Sequence, residues 1–184
     1  KDRYDTDYSP SVRPVPALEA RVRLARGELD AALRWAEQQH LSVGDELAYV
    51  REFEHLTLAR VLVAIEARDR SDLGAVGLVE RLMSAAEASG RTGVVIECLV
   101  LLSLARSATG DRSGALTAVE QALVLAEPEG FVAVFLEAGE PLRTLLRTAS
   151  FDGVAASQCR VVLAAWSGAE PVRFASGPVD ELSS

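Results

Sequence analysis

The feature that most constrains this chain is a unit that returns. Gly27-Glu28-Leu29-Asp30-Ala31-Ala32-Leu33 comes back as Gly110-Asp111-Arg112-Ser113-Gly114-Ala115-Leu116, with a degenerate copy, Arg70-Ser71-Asp72-Leu73-Gly74-Ala75-Val76, between them. The copies start 43 and then 40 residues apart. A period near 40, in a chain whose apolar residues recur at helical spacing, predicts a helical solenoid. In such an array each unit buries its apolar face against its neighbours, and the product is an extended surface rather than a catalytic pocket. Ala32, Ala75 and Ala115 hold the same place in the three copies. A small side chain there lets two helices approach to the short end of the usual ~8–10 Å separation.

Asp2, Asp5, Asp7, Pro10, Pro14 and Pro16 mark residues 1–16 as a linker, because proline at alternate spacing opposes a helix. A short helix follows from Ala17 to Arg26, with Leu18, Val22 and Ala25 on one face, closed by Gly27. The helix after it buries Leu29, Ala32, Leu33 and Ala36, with Trp35 on its flank. Ser42-Val43-Gly44-Asp45 reads as a break, and a long helix is expected from Glu46 to about Ala67. Further helices are expected over 73–88, 94–108, up to Ala126, 141–149 and 154–166. Phe131–Leu136 is β-prone, yet a short helix also fits. The 94–108 helix is apolar nearly all round, which places it centrally. The expected fold is all-α, a right-handed superhelix of antiparallel helix pairs over residues 17–166, with 167–184 as a second linker. Ala122, seven residues after Ala115, gives the last unit a look that resembles the tetratricopeptide (TPR) pattern, although its ~34-residue period is shorter.

Composition narrows the function. The chain of 184 residues has a net charge of −8, which argues against a nucleic-acid surface, since that needs clustered cations. No apolar run approaches the ~18 residues of a membrane span, and no signal peptide is visible. Cys98 and Cys159 sit far apart on apolar helical patterns, as expected of two buried thiols in a reducing cytoplasm. Lys1 stands where a complete chain would start with Met, which suggests a piece of a longer protein. Cut ends of a solenoid expose apolar faces and favour self-association.

No phosphate loop, nucleophile elbow or metal-ligand spacing is present in the sequence, so neither a catalytic role nor a cofactor is expected. His40 and His55, fifteen residues apart on different elements, read as structural or solvated histidines. Glu97 interrupts the most apolar helix, and a buried carboxylate must be paired. Arg91 or Arg106, the cations nearest to it in the chain, is the expected partner. The helix around Tyr49–Arg60 concentrates aromatic, acidic and basic groups, with Arg51 and Glu54 as i,i+3 neighbours and Glu52 two turns before Arg60. Two readings are open: ion pairing between helices inside the array, or a polar and aromatic wall on the concave face. Under the second reading, Tyr49, Glu52, Arg60, Arg91 and Glu97 are the candidate ligand-binding residues.

Three stretches resemble one family in order: Tyr49-Val50-Arg51-Glu52-Phe53-Glu54-His55-Leu56-Thr57-Leu58-Ala59-Arg60, Gly90-Arg91-Thr92-Gly93-Val94-Val95-Ile96-Glu97 and Ala126-Glu127-Pro128-Glu129-Gly130-Phe131. They are similar to the helical-repeat region of MalT-like, ATP-dependent LuxR-type bacterial transcription regulators, and the likeness covers about Ala17 to Trp166. The resemblance implies a cytoplasmic sensor segment. It would lie between an ATP-binding oligomerisation domain and a helix-turn-helix DNA-binding domain. Neither the phosphate loop nor a basic recognition helix is in this sequence, so ATP and DNA binding would belong to the parent protein. What the segment itself would bind is a small-molecule inducer or a protein or peptide partner. The rival expectation is a TPR-type scaffold with no small ligand.

Overall fold

Pro14 and Pro16 do not hold the chain extended as far as the sequence suggested. The computed structural model describes residues 13–168, and in it helix α1 spans Val15–Ala25, with Pro14 as N-cap and Pro16 in the first turn. The first helical N–H groups have no partner inside the helix, so proline is tolerated there. Residues 1–12 of the expected N-terminal linker, and all but two residues of the expected C-terminal one, fall outside the described residues.

Helices α2 (Leu29–Gln38), α3 (Glu52–Asp69), α4 (Ala75–Ala88), α5 (Thr92–Ala108) and α6 (Arg112–Ala126) follow, then α7 (Ala133–Glu137), α8 (Gly139–Arg147) and α9 (Gly153–Trp166). No strand occurs among the described residues, so the β-prone stretch before Glu137 resolves as helix. Short connections fold α1 on α2, α3 on α4 and α5 on α6 as pairs. The turns repeat one device. After α1 and α5, Gly27 and Gly110 take positive φ of 79° and 85°, and the next N–H (Glu28, Asp111) reaches back to the Arg23 or Arg106 carbonyl at 3.0 and 2.9 Å. That is the hydrogen bond that consumes an orphan helix carbonyl at a left-handed C-cap. After α2 the same turn is made by His40 at φ 52°, with Leu41 N–H bonded to the Ala36 carbonyl.

The repeat register shows in the burial. A shift of 40 residues carries the buried Ala75, Leu78, Val79, Leu82 and Ala86 of α4 onto the buried Ala115, Ala118, Val119, Ala122 and Ala126 of α6. A shift of 43 carries Ala32, Trp35 and Ala36 of α2 onto Ala75, Leu78 and Val79. Ala32, Ala75 and Ala115 are all fully buried. Ala115→Leu is therefore expected to overpack the α5–α6 interface and cost about 1–3 kcal/mol, read as a lowered denaturant midpoint. An unchanged midpoint would remove Ala115 from that interface.

α1 buries Ala17 and Ala20, while Leu18 and Val22 stay about half exposed. Two local expectations are corrected. Trp35 lies inside, not on the flank, and packs with Ala17, Ala20 and Ala36 in one core cluster. The long helix begins at Glu52 rather than Glu46, after a single 3-10 turn at Tyr49–Arg51. The segment before it is held as a loop by side chains from elsewhere. Arg81 donates to the Val43 and Asp45 carbonyls, and Arg51 donates to the Gln39 carbonyl at 3.0 Å. Buried His55 contacts the Arg51 carbonyl at 3.0 Å and the Asp45 carboxylate at 3.2 Å, which is a structural role.

The core has two main lobes. One joins α1–α6, the last through Ala118 alone, and contains Trp35, Leu58, Leu78, Leu82 and Leu102. The other joins α4–α9 and contains Ile96, Val119, Leu123, Phe135, Leu142 and Val162. Helix α5 supplies residues to both, and Met83, Val94 and Leu104 pack against each of them. Its central placement follows from its all-round apolar sequence. Helix α3 shares that position, for every residue from Glu54 to Val63 is buried. Cys98 and Cys159 are free and buried, and burial raises both thiols above their ordinary range. A raised thiol has little thiolate and is chemically inert.

Candidate functional site

Helices α1, α3, α5 and α7 turn one face each toward a common groove of about 1490 Å³. Its walls are mainly aliphatic and aromatic, with Leu56, Val94, Leu101, Leu104, Phe53 and Phe131 among them. All five sequence candidates, Tyr49, Glu52, Arg60, Arg91 and Glu97, line this groove. They form two separate clusters within it.

The first cluster joins α3 to the start of α5. Arg91 donates through Nε and Nη2 to Glu52 Oε1, at 3.0 and 2.7 Å, and through Nη2 to the Ala85 carbonyl. Its guanidinium also lies 5.6 Å from the Tyr49 ring centroid, within the range of a cation–π contact. Tyr49 itself is largely exposed.

The second cluster is built on Glu97. Its Oε1 accepts from Arg60 Nε at 2.7 Å and from Arg21 Nη2 at 2.9 Å. The sequence expectation of Arg91 or Arg106 as partner is thus corrected. Arg91 is taken by Glu52, and Arg106 reaches across the turn to α6, donating to the Gly114 carbonyl. Arg21 is held by two further contacts. Its Nε donates to Thr57 Oγ1 at 3.0 Å, and its guanidinium lies over the Phe53 ring at 4.1 Å. Thr57 in turn donates to the Phe53 carbonyl. Across the groove, Glu137 Oε2 stands 3.5 Å from Arg21 Nη1 and 3.4 Å from Arg60 Nη2. The open pairing question thereby receives a compound answer: Glu52 and Arg60 both pair between helices, and both face the groove.

Burial and charge act in opposite directions here. Burial pushes the Glu97 carboxyl upward, but Arg60 and Arg21 outweigh it and hold the group below the ordinary carboxylate range. For Arg21, burial pulls the guanidinium downward while Glu97 draws it back. A carboxylate depressed in the folded state adds stability above its unfolded value, ~4.3. That increment is lost as pH falls toward the lower folded value. The urea midpoint is thus expected to fall more steeply below about pH 4.3 in the native protein than in Glu97→Gln. Parallel profiles would mean that Glu97 is not held ionised by the two arginines.

Arg21, Phe53, Thr57 and Glu137 were not among the residues singled out as ligand-binding candidates. Glu97 alone carried a signal for them, since an acid in so apolar a helix demands a cation. Its real partners lie 37 and 76 residues away in the chain, where no local pattern points.

A family model describing the MalT-like TPR region matches residues 3–151. Searches of curated proteins and of solved structures gave no match.

Proposed function

The chain belongs to the family of MalT-like TPR regions, and from that premise we propose that it is the signal-sensing segment of a LuxR-type bacterial transcription regulator, acting in the cytoplasm. The family supports a regulatory helical repeat; the sensor assignment and the LuxR-type parent are our reading. The observation that carries it is convergence: Tyr49, Glu52, Arg60, Arg91 and Glu97 line one largely apolar groove, and the most buried ion cluster lies on its wall. Such a surface supplies contact area together with a few fixed polar groups, which is what recognition of an inducer requires.

The mechanism is a population shift. Binding in the groove favours an assembly-competent state of the parent over a closed one. To invert a population from 1:99 to 99:1, the ligand must prefer one state by about 5.5 kcal/mol. ATP and DNA binding belong to the parent's other domains.

The test is thermal unfolding of the chain against sugars, aromatic acids, nucleotides and short peptides. A saturable upward shift with one class identifies it, because a ligand that binds only the folded state raises its stability. One feature favours a second reading, a TPR-type scaffold. The groove exceeds the ~300–1,000 Å³ of ordinary small-molecule pockets and has room for an extended segment. A response to peptides alone would select the scaffold, and silence from every class would set both readings aside for this chain.

A further inference from the structure

Resting on the sensor reading, we propose that the ligand of this groove carries a carboxylate on an apolar body, and that this carboxylate replaces Glu137 on Arg21 and Arg60. The inference starts from unequal pairing. Glu97 engages both arginines at 2.7–2.9 Å, whereas Glu137 stands at 3.4–3.5 Å from the same two guanidinium groups. Glu97 is nearly buried, while the Glu137 side chain is 55% exposed. Arg60 is only 6% exposed, yet its Nη2 has no hydrogen-bond partner among the described residues. At 3.4 Å the Arg60 contact with Glu137 is therefore a charge contact without hydrogen-bond geometry, and the carboxylate's one hydrogen bond here is the long one, 3.5 Å, that Arg21 Nη1 donates.

A buried guanidinium N–H left without an acceptor is costly. A free carboxylate is not tethered to a helix and can align with the fork of donors that arginine presents. The local balance also favours an anion. Glu97 offsets one of the two arginine charges, Glu137 offsets the other only loosely, and Arg13 adds a third cation 5.6 Å from the Phe53 ring centroid, while Glu140, which also lines the groove, is paired with Arg143 at 3.3 Å. Around these groups the groove is lined by Phe53, Leu56, Val94 and Leu101, which suits an aliphatic or aryl body.

Exchange has a consequence for the fold. Glu137 ends the five-residue α7 and spans the groove to α1 and α3. Displacing it releases the charged contact between the end of α7 and the arginines of α1 and α3, which ties occupancy of the groove to the position of the helices after it.

The experiment is calorimetric titration of the full chain with octanoate, 4-phenylbutyrate and indole-3-acetate, each beside its primary amide. The native protein is compared with Glu137→Gln, and with Glu137→Ala as a second variant, each checked by circular dichroism. The expected result is saturable binding of at least one acid, no saturation by its amide, and tightening of the acid by about three- to tenfold when Glu137 is neutralised. Equal binding of acid and amide overturns the carboxylate subsite while leaving the sensor reading intact. Acid binding that Glu137→Gln leaves unchanged or weakens overturns the exchange. If no acid saturates either protein, the carboxylate proposal fails, and the broader ligand panel decides the sensor reading by itself.

Discussion

Replacing Arg60 by leucine is expected to lower the stability of this protein by about 3–5 kcal/mol. Arg60 is 6% exposed and makes the shorter of the two bonds that neutralise Glu97. Without it the carboxylate keeps only Arg21, itself drawn upon by Thr57 and Phe53. Leaving a buried charge short of partners costs far more than the pair contributed. The measurement is urea denaturation of Arg60→Leu, of Glu97→Leu and of the double variant. The double variant is expected to recover most of the loss, because the one charge left behind, Arg21, still has Thr57 Oγ1 and the half-exposed Glu137 carboxylate as partners. A single-variant loss below about 1 kcal/mol, the range of exposed ion pairs, would mean that water reaches the cluster and that the groove wall is not closed there.

Phe135→Ala is expected to cost a similar amount, about 3–5 kcal/mol. Phe135 is the largest fully buried side chain among the described residues, and it sits on a helix of five residues. So short a helix has no stability of its own in water, so packing of this ring into the second lobe must hold α7 in place. The loss would show in the denaturant midpoint. Glu137, two residues on, would lose its position over Arg21 and Arg60, so the carboxylate titration should change as well. A cost under about 1.5 kcal/mol, the upper end for well-tolerated core swaps, would mean that α7 is anchored by something other than Phe135.

The periodic parts of this fold were legible because periodicity is a local property. The three alanines at the repeat spacing predicted fully buried positions, and the all-apolar 94–108 stretch predicted a central helix. What failed were places where a distant side chain overrules local pattern. Residues 46–48 have helical composition, but Arg81 binds the backbone just before them, and Arg51 ties the chain just after them to the end of α2 at the Gln39 carbonyl. Trp35 is amphipathic enough for a flank, yet the small Ala17 and Ala20 of α1 leave room for it inside. For the site, the candidate residues came from their unusual chemistry on apolar helices, which needs no knowledge of the fold. Their partners did not, because Arg21 and Glu137 reach the groove only once α1 and α7 have packed on α3 and α5.

A simple solenoid loses order piece by piece, since each unit touches only the next. Here α4, α5 and α6 each supply buried residues to two hydrophobic lobes, and α5 divides itself most evenly between them. To unravel either lobe, α5 must give up packing that the other lobe also needs. Partial opening from one end is thereby penalised, and the halves are expected to unfold as a single cooperative block rather than as beads on a string. A displacement entering at α1 is then expected to reach α9 as a change in the whole body, with no dedicated relay of residues between them.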